Sequence, residues 1–354
     1  MAKPYYIIKQ MNTEKIDFVL TWVDGNDQAW LAQKNKYAAI EKNMAHGDSN
    51  AACRYRDYGL LRYWFRAVEY FTPWVNKVFF ITCGQKLDWL NESNPKLRLV
   101  NHQDYIPAEY LPTFQSNTIE LNIHRIPELS EHFVLFNDDM YLLRKLQPNV
   151  FFKNGLPMIP CDLGIPQWLG YGTPSRVVLN NTGLVAKKLD LKQLIWKNAM
   201  KFFNVSALGP TRALKNLISI AVNRTVIFGT FGHLPLPHLK TTLEQMWSMY
   251  PEIMDMTSRY RFRHDDCVNQ WLLCAWNMMT GHFYPTNEKR LGNLLGIDTN
   301  SLDSACQIIT KSPFPEICFN INVPDDNDED FNRCIEALTK AFDKILPQKS
   351  SFEK

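Results

Sequence analysis

The sequence predicts an α/β protein in which a largely parallel sheet is flanked by helices. Three observations support this prediction: short apolar runs rich in Val, Ile and Phe recur in the first part of the chain, a helical pattern separates two of them, and turn-forming residues close them. The predicted strands cover residues 16–23, 76–84, 97–102 and 132–139, and the helical pattern covers 58–71. Alternation of strands and helices favours a parallel sheet.

Polar residues occur at the ends of three of the predicted strands or directly after them. They are Asp-Gly-Asn-Asp at 24–27, Gly-Gln at 84–85 and Asn-Asp-Asp at 137–139. In open α/β sheets, ligands bind beyond the carboxyl ends of the strands. The sequence therefore predicts that a functional site forms where these three strands end.

The composition of the sequence changes after about residue 150. Proline and glycine are frequent from about 150 to 235, and a helical stretch lies near 188–222, so we expect an irregular and helical region that covers the sheet. Apolar spacing predicts helices at 242–251 and 265–279, and an amphipathic helix near the C-terminus. We divide the chain into an α/β core (16–150), an irregular and helical covering segment (151–240) and a helical C-terminal part (241–354).

The composition of the 354 residues is that of a globular protein, with 45% hydrophobic and 13% aromatic residues. A net charge of +3, from 39 basic and 36 acidic residues, argues against a nucleic-acid-binding protein, which needs a concentrated basic face. Eight cysteines occur without paired CxxC spacing, which indicates free thiols and argues against a structural zinc site.

No secretory signal or membrane-spanning segment is predicted. Lys3, Lys9 and Lys15 interrupt the apolar residues at the start, and no window reaches the roughly 18 apolar residues of a spanning helix. We therefore expect a cytoplasmic protein, or one that is bound peripherally at the inner face of the plasma membrane.

Asp138 and Asp139 are the first candidates for chemistry. Two carboxylates at the end of a buried strand cost free energy unless a cation pairs with them. Such acids can hold a divalent ion against a diphosphate. The alternative is an ordinary turn, in which one carboxylate caps the backbone and the other is solvated.

Two basic stretches supply further candidates. Arg263 and His264 precede a predicted helix, whose N-terminus favours an anion, although a solvated basic turn explains them equally well. His233 and His238 lie in an extended, proline-containing stretch, and histidine is a natural general base at neutral pH. Residues 118–127 place Glu120 and His124 at helical i,i+4 spacing beside Arg125, which is more typical of a salt-bridged helix face.

The motifs together resemble the Stealth family of capsular polysaccharide phosphotransferases, which is related to the lysosomal-enzyme N-acetylglucosamine-1-phosphotransferase. "IDFVLTWVDGND" resembles the first family block, and the stretch from "YRDYGLLRYWFRAVEYF" to "EHFVLFNDD" resembles the second almost throughout. "PHL" with "MYPEIMDMTSRYRFRHDD" resembles the third block, and "FPEICFNIN" with "LPQKSSFEK" resembles the fourth. The resemblance implies a nucleotide-sugar-transferase-like fold. In that fold the core (16–150) would bind the nucleotide sugar, and the C-terminal part (241–354) would complete the active site.

The resemblance also implies the reaction. A sugar-1-phosphate would pass from a nucleotide diphosphosugar, a UDP-sugar by expectation, to a sugar hydroxyl of a growing capsular or cell-surface polysaccharide. The nucleoside monophosphate would leave, with Mg²⁺ or Mn²⁺ as the cofactor. The partners would be the donor, the polysaccharide acceptor and a membrane-bound capsule-assembly complex, with no nucleic acid. Two alternatives stay open: a metal-dependent glycosyltransferase that releases the nucleoside diphosphate, and a carbohydrate-binding module without catalysis.

The resemblance assigns roles to particular residues. Asp138 and Asp139 match the family's NDD motif and would bind the metal and the diphosphate. His238 matches the third-block histidine and would take the acceptor's proton, while Arg263 would neutralise the phosphates. The substrate-binding candidates are Asp24, Gly25, Asn26, Arg62, Gln85, His124, Arg125 and His264.

Overall fold

The computed structural model describes residues 14–41, 55–164, 174–222, 227–229, 231–324 and 326–354. In chain order the strands are β1 (Ile16–Thr21), β2 (Val78–Thr82), β3 (Leu97–Asn101), β4 (His132–Asn137), β5 (Met140–Leu142), β6 (Phe152–Lys153), β7 (Leu156–Pro160), β8 (Leu163–Gly164), β9 (Ile227–Phe228), β10 (Leu236–Leu239), β11 (Tyr284–Thr286), β12 (Gly292–Ile297) and β13 (Glu316–Ile321). The α-helices are α1 (Gln28–Ala38), α2 (Leu61–Phe71), α3 (Ser116–Leu121), α4 (Pro174–Ala186), α5 (Leu191–Lys197), α6 (Ala199–Phe202), α7 (Val205–Leu208), α8 (Pro210–Val222), α9 (Lys240–Met249), α10 (Pro251–Arg259), α11 (Trp271–Thr280), α12 (Leu302–Lys311) and α13 (Asp328–Ile345).

The main sheet has the strand order β10-β4-β1-β2-β3. Strands β4, β1, β2 and β3 are parallel, and β10 pairs with β4 in the antiparallel direction at one edge. The predicted α/β class with a largely parallel sheet is therefore confirmed. The four predicted parallel strands all form, and each ends one to two residues before its predicted boundary.

The sheet is buried on both faces, because side chains alternate between two cores along each strand. On one face Phe18 and Phe136 pack against Trp64 of α2, with ring centroids of Phe18 and Phe136 4.7 Å apart. On the other face Val19 belongs to a second core that contains Leu272 of α11. Helices therefore cover both faces of the central strands β1, β2 and β4.

A small second sheet brings the C-terminal part of the chain to the end of β4. Strand β5 starts directly after Asp139 and pairs antiparallel with β13, so that Cys318 lies opposite Met140. Strand β13 pairs with β12 in the parallel direction. The backbone N–H of Phe319 donates to the carbonyl oxygen of Asp139 at 3.1 Å. This pairing places β13 and the residues around Cys318 beside the aspartate pair.

The chain end itself is held in the core region. Arg66 of α2 forms a bidentate ion pair with Glu353, with Nε–Oε1 and Nη2–Oε2 distances of 2.8 and 2.9 Å, and its Nη1 donates to the carbonyl oxygen of Leu346. Both charged side chains are buried, at 7% and 3% exposure. Phe352 is buried beside them, so the last residues belong to the folded core.

The helical stretch predicted near 188–222 is divided into the four helices α5 to α8. The side chain of Asn204 accepts a hydrogen bond from the N–H of Ala207 and begins α7, and Gly209, with a φ of 83°, ends it before Pro210 starts α8. These local stop and start signals outweigh the continuous apolar pattern.

The helix predicted at 265–279 starts six residues later. The carbonyl oxygens of Asp265 and Cys267 accept hydrogen bonds from the side-chain amide of Asn180 on α4, at 2.7 and 2.9 Å, instead of intrahelical N–H groups. The helix therefore begins at Trp271. The predicted helices at 242–251 and near the C-terminus correspond to α9 and α13.

The division into three segments stays a prediction. One continuous core holds Phe18 and Phe136 from the first segment together with Phe319 and Phe342 from the third. Among the residues that the structure describes, no helix combines the length and the apolar composition that a membrane crossing requires.

Candidate active site

The ends of β1 and β2 are joined by Gln85. Its side-chain oxygen accepts from the N–H of Asp24 at 2.8 Å, and its amide nitrogen donates to the carbonyl oxygen of Asp24 at 2.9 Å and to Oδ2 of Asp27 at 3.1 Å. Asp24 in turn accepts from the N–H of Asn26, which is exposed. The predicted convergence of the first two polar strand ends is present in the structure.

Gly25 occupies a position that no larger residue fits. Its N–H donates to the carbonyl oxygen of Tyr55 at 2.9 Å, and a Cβ atom built on Gly25 would lie 2.2 Å from that same oxygen. Because a β-carbon cannot approach a carbonyl so closely, the residue type follows from the backbone contact. Gly25 therefore holds the loop after β1 against the segment that leads into α2.

Asp138 and Asp139 lie in the tight turn between β4 and β5. Asp138 is half-buried, and desolvation, reinforced by the negative charges of Asp139 and Asp57, raises the pKa of its carboxyl group well above the usual value. Oδ1 of Asp139 and Oδ1 of Asn137 are buried, and neither has a hydrogen-bond partner among the described residues. The turn thus concentrates negative charge and unsatisfied oxygens at one point.

His233 is the histidine that the structure brings to this point. Its Nε2 lies 3.3 Å from Oδ2 of Asp139, and its side chain is 36% exposed. Burial works to lower the pKa of His233, but the hydrogen bond to Asp139 and the charges of Asp139 and Glu120 outweigh burial and raise it. His233 is therefore a basic imidazole that faces both the carboxylates and the solvent.

Glu120 and Arg263 complete the cluster from two other segments. Nη2 of Arg263 donates to Oγ of Ser116 at 3.0 Å, at the first residue of α3, and Glu120 lies one turn further along the same helix. Burial raises the pKa of Glu120, while the charges of Arg263 and His233 oppose that rise. The site therefore contains four ionisable groups whose charges interact: Glu120, Asp139, His233 and Arg263.

His238 lies elsewhere. Because β10 runs antiparallel to β4, the residues that precede β10 lie beside the carboxyl end of β4, and His238 pairs instead with Phe133. Phe133 is four residues before Asn137, about 13 Å along an extended strand. The sequence interpretation that places His238 at the aspartates therefore differs from the structure, which places His233 there.

The surroundings of His238 are those of a packing group. Its side chain is 1% exposed, and its Nε2 lies 2.6 Å from the side-chain oxygen of Gln270. Burial lowers the pKa of His238 to about 4, despite the opposing contact with Gln270. A neutral, enclosed imidazole has no access to an acceptor hydroxyl.

His124 and Arg125 are also remote from the aspartates. Helix α3 ends at Leu121, and His124 lies in a following 3₁₀ turn, so the helical i,i+4 relation to Glu120 is not formed. The guanidinium of Arg125 lies 4.7 Å from the ring centre of Trp247 on α9, and the His124 ring lies 5.9 Å from it. Both predicted substrate-binding residues pack against α9 instead.

His264 and Arg62 take part in contacts beside the site. The His264 ring stacks on Tyr260 at 3.8 Å, and its Nε2 lies 3.3 Å from Oε1 of Glu41. The guanidinium of Arg62, in the first turn of α2, lies 5.4 Å from the ring centre of Trp89. The structure thus joins Arg263 to the cluster around Asp139, while its neighbour His264 is engaged with Glu41.

The donor set at the end of β4 fits a divalent cation. The carboxylates of Asp138 and Asp139 and the unpartnered oxygen of Asn137 are the ligand type that Mg²⁺ and Mn²⁺ prefer. Asp139, His233 and Cys318 also offer ligand atoms within 4.8 Å of one another. Burial and the nearby Asp139 raise the pKa of the Cys318 thiol well above its usual value. Mg²⁺ and Mn²⁺ prefer carboxylate and carbonyl oxygens to sulfur, which favours the oxygen ligands of the turn.

A cavity of about 210 Å³ lies beside Gln85, at the carboxyl ends of β2 and β3. Its polar lining includes Thr82, Gln85, Lys86, Asn101 and Asp104. The cavity therefore offers both donors and acceptors next to the strand ends that carry the site.

Sequence analysis raised His233 beside His238 but assigned the proton-accepting role to His238 only. It interpreted Glu120 as part of a salt-bridged helix face and gave no role to Cys318 or Asp57. His233 stands five residues before His238 in the same extended stretch, so the strand direction was needed to choose between them. Asp57 accepts a hydrogen bond from Nε1 of Trp22 at 2.9 Å, and burial raises the pKa of its carboxyl group. A signal for Cys318 existed, because it lies in the stretch that resembles the fourth family block.

Comparison with known families matches two regions of the chain. Residues 14–41 match the model of Stealth protein CR1, conserved region 1, and residues 54–159 match that of Stealth protein CR2, conserved region 2. These regions contain Asp24, Gln85, Glu120 and both aspartates of the β4 turn.

Curated relatives match over nearly the whole chain. The capsular polysaccharide phosphotransferase WcwK of Streptococcus pneumoniae is 38% identical, over 96% of this chain and 99% of that protein. The receptor polysaccharide phosphotransferase WefC of Streptococcus gordonii is 37% identical over 96% and 99%. The exopolysaccharide phosphotransferase cps2G of Lactiplantibacillus plantarum is 33% identical, over 96% of each chain.

Among solved structures, the galactosyltransferase LgtC in complex with donor and acceptor sugar analogues aligns over 95% of this chain and 98% of its own, with a TM-score of 0.36 and 11% identity. An active-site mutant of LgtC aligns with a TM-score of 0.33 and 12% identity.

Proposed function

Because the chain belongs to the Stealth family of polysaccharide phosphotransferases, we propose that it transfers a sugar-1-phosphate from a nucleotide diphosphosugar, a UDP-sugar by preference, to a hydroxyl group of a growing capsular or cell-surface polysaccharide. The observation that carries the proposal is the position of His233, 3.3 Å from Asp139 at the carboxyl end of the central sheet. An imidazole, a guanidinium and paired carboxylates there supply the groups that phosphoryl transfer requires.

The reaction forms one bond and breaks another. The acceptor oxygen bonds to the phosphorus that carries the sugar, and the bond from that phosphorus to the bridging diphosphate oxygen breaks. The nucleoside monophosphate leaves with the electron pair of that bond. Nε2 of His233 donates to Asp139, so the acceptor's proton passes to the other ring nitrogen, Nδ1. The charges of Asp139 and Glu120 stabilise the imidazolium that forms.

Arg263 acts on the donor. Its bond to Ser116 fixes one end of the guanidinium at the start of α3, on the side of the site that faces Glu120. A planar guanidinium binds two phosphate oxygens at once, which orients the diphosphate as well as neutralising it. In this role Arg263 stabilises the bound donor and the transition state alike.

The loop after β1 and the cavity beside Gln85 seat the nucleoside end of the donor. Gln85 holds the backbone of Asp24 at both its N–H and its carbonyl group, so the loop has one defined shape. The adjacent cavity of about 210 Å³ presents Lys86 and Asn101. In this proposal the base and ribose lie beyond β2, and the diphosphate lies toward the β4 turn.

A divalent cation, Mg²⁺ or Mn²⁺, would be held by Asp138 and Asp139, with Asn137 as a further oxygen donor. When bound, it supplies positive charge to the diphosphate oxygens. The orphaned buried oxygens of Asn137 and Asp139 support this assignment, since an unsatisfied buried acceptor is costly without a partner.

We further propose that the enzyme works on the cytoplasmic side of the cell, associated peripherally with the inner face of the plasma membrane and with a capsule-assembly complex. The donor nucleotide sugar and the growing polysaccharide are then its substrates. The family membership supports the polysaccharide acceptor.

The decisive experiment identifies the nucleotide that is released. The purified protein is incubated with a panel of nucleotide sugars and an acceptor oligosaccharide, and the products are separated by chromatography. Nucleoside monophosphate is expected, together with a phosphodiester phosphorus signal in the product. Release of nucleoside diphosphate would establish glycosyl transfer and overturn the proposal. The Asp139→Asn variant serves as the control for contaminating phosphatases.

A further inference from the structure

Helix α8 presents a stripe of apolar residues to the solvent. Its inward side holds the buried residues Ala213 and Ile220 together with polar side chains. Asn216 accepts from the N–H of Leu163 at 2.9 Å and donates to the carbonyl oxygen of Phe202 at 2.9 Å, and Ser219 donates to the carbonyl oxygen of Leu163. Its outward apolar residues are Leu214, Leu217, Ile218 and Val222, with exposed fractions of 58%, 41%, 50% and 70%. Their i, i+3, i+4, i+8 spacing makes one continuous stripe.

The exposed apolar residues extend onto the neighbouring helices. Of the ten exposed large hydrophobic residues in the described part of the chain, seven lie between residues 196 and 222. Besides the α8 stripe they are Trp196 on α5, Met200 on α6 and Val205 on α7. Helix α6 contacts α8 directly through the hydrogen bond from Asn216 to Phe202. We call these seven residues the α5–α8 surface. Such a concentration marks an interaction site.

The same stretch of the chain is strongly basic. Residues 187–222 contain seven lysines and arginines and a single acid, Asp190, whereas the whole chain has a net charge of only +3. Arg212 and Lys215 pair with Glu288 and Asp162, and Lys201 donates to the carbonyl oxygens of Gly281 and Phe283, so these three are engaged within the protein. Four lysines remain, of which Lys192 is half-exposed. Lys187, Lys188 and Lys197 are exposed, and Lys197 follows Trp196 directly. Positive charge is therefore concentrated where the apolar side chains are exposed, and the remainder of the chain is net negative.

We propose that the α5–α8 surface binds the face of an anionic lipid bilayer. Short helices that expose Trp, Met, Leu and Ile beside lysines can insert their apolar side chains at the boundary between headgroups and acyl chains, while the lysines bind the lipid phosphates. Lysine suits this position because its aliphatic stem follows the apolar residues and its ammonium group reaches the headgroups. Charge complementarity thus favours an anionic bilayer over an uncharged apolar partner.

The inference deepens the proposed peripheral localisation and is independent of the proposed chemistry. The surface lies on the covering segment and contains none of the residues assigned to the site at the carboxyl ends of the strands. Binding to vesicles requires neither donor nor acceptor. Failure of lipid binding and failure of phosphotransfer are therefore separate results.

The test is co-sedimentation of the full chain with vesicles of phosphatidylcholine alone and of phosphatidylcholine mixed with phosphatidylglycerol. The wild-type protein is expected to sediment with the anionic vesicles and to be released as salt is raised, since exposed charges are screened. The double variant Leu217→Ser with Ile218→Ser should weaken binding about tenfold or more. Lys192→Gln with Lys197→Gln should weaken binding to anionic vesicles selectively.

Leu294→Ser is the matched control, because Leu294 is 57% exposed but lies on β12, outside the α5–α8 surface. It should bind vesicles like the wild type. Circular dichroism and turnover without vesicles check that each variant is folded. Three results would overturn the proposal: no binding to anionic vesicles, equal binding by the Leu217/Ile218 double variant, or a solution dimer that this variant dissociates. The last result would assign the surface to a second copy of the chain.

Discussion

Nε2 of His233 lies 3.3 Å from Oδ2 of Asp139, although the two residues belong to distant parts of the chain. The contact exists because β10 is added antiparallel to the edge of the sheet beside β4. That direction carries the residues before β10 to the carboxyl end of β4, where the aspartate turn lies. The direction of a single edge strand therefore determines which histidine lies at the aspartate turn.

The two histidines give the first prediction. His233→Ala should lower kcat by about 10²–10⁴, because a positioned general base is lost, while donor affinity stays near that of the wild type. His238→Asn should leave kcat of the folded enzyme within a few-fold but lower the melting temperature, because His238 is buried against Gln270. Turnover, donor titration by calorimetry and thermal melting distinguish the two. A catalytic defect confined to His238→Asn would reverse the assignment.

The second prediction concerns the aspartates and the metal. Asp138→Asn and Asp139→Asn should each reduce turnover by about 10²–10³ without unfolding the protein, since each removes a preorganised charge. A chelator should abolish wild-type activity, and Mg²⁺ or Mn²⁺ should restore it. Asp298→Asn, at an Asp that lies outside the site, is the control. Undiminished activity in excess chelator would exclude the metal from the reaction.

Arg263 gives the third prediction. Arg263→Ala should weaken donor binding and lower kcat, because a charge-assisted contact to phosphate acts in the ground state and in the transition state. Arg263→Lys should recover little, since an ammonium group does not reproduce the planar bidentate geometry. Arg259→Ala serves as the comparison, because Arg259 forms an exposed pair with Asp255 on the same helix. Normal donor affinity in Arg263→Ala would place the phosphate elsewhere.

The fourth prediction is a dependence of stability on pH. Glu316 is fully buried at the start of β13, both of its carboxylate oxygens lack hydrogen-bond partners among the described residues, and burial raises its pKa from 4.5 to about 8. The folded state thus keeps a proton that the unfolded chain releases. The free energy of unfolding should therefore fall as pH rises from about 4.5 toward 8, by about 3 kcal/mol at pH 7.

Replacement of Glu316 should remove that dependence. In Glu316→Gln the decline between pH 5 and 8, measured by urea unfolding, should be flatter than in the wild type by about this amount. Glu336→Gln, at an exposed position on α13, should leave the wild-type slope unchanged. Parallel curves for the wild type and Glu316→Gln would show that Glu316 is charged in the folded protein.

The fifth prediction tests the attachment of the chain end. Arg66→Met should destabilise the fold by about 3–5 kcal/mol, because it leaves the buried carboxylate of Glu353 without its partner. The double variant Arg66→Met with Glu353→Met should recover part of that loss. Arg98→Met, which breaks a largely exposed pair with Glu128, should cost less than about 1 kcal/mol. Similar losses for Arg66→Met and Arg98→Met would contradict the structural role of the chain end.

The sequence alone determined the central sheet and one side of the site. The apolar runs that become β1, β2, β3 and β4 are local signals, since a strand buried on both faces needs only apolar residues of suitable shape. The polar groups at the strand ends are equally local, because parallel strands align their carboxyl ends on one edge. Asp24, Gln85 and the aspartate turn follow from those two rules without any long-range contact.

The residues on the other side of the candidate site reach it only through tertiary structure. His233, Arg263 and Cys318 reach the β4 turn through an antiparallel edge strand, a loop packed against α3 and a small second sheet, and no local pattern states the direction or register of these pairings. The same holds for α8. Its Asn216 and Ser219 bond the backbone of Leu163, and Ala213 and Ile220 are buried on the same side of the helix. The apolar stripe on the other side is left facing the solvent. Which side of a helix becomes buried therefore depends on the hydrogen-bond and packing partners that the rest of the folded chain provides.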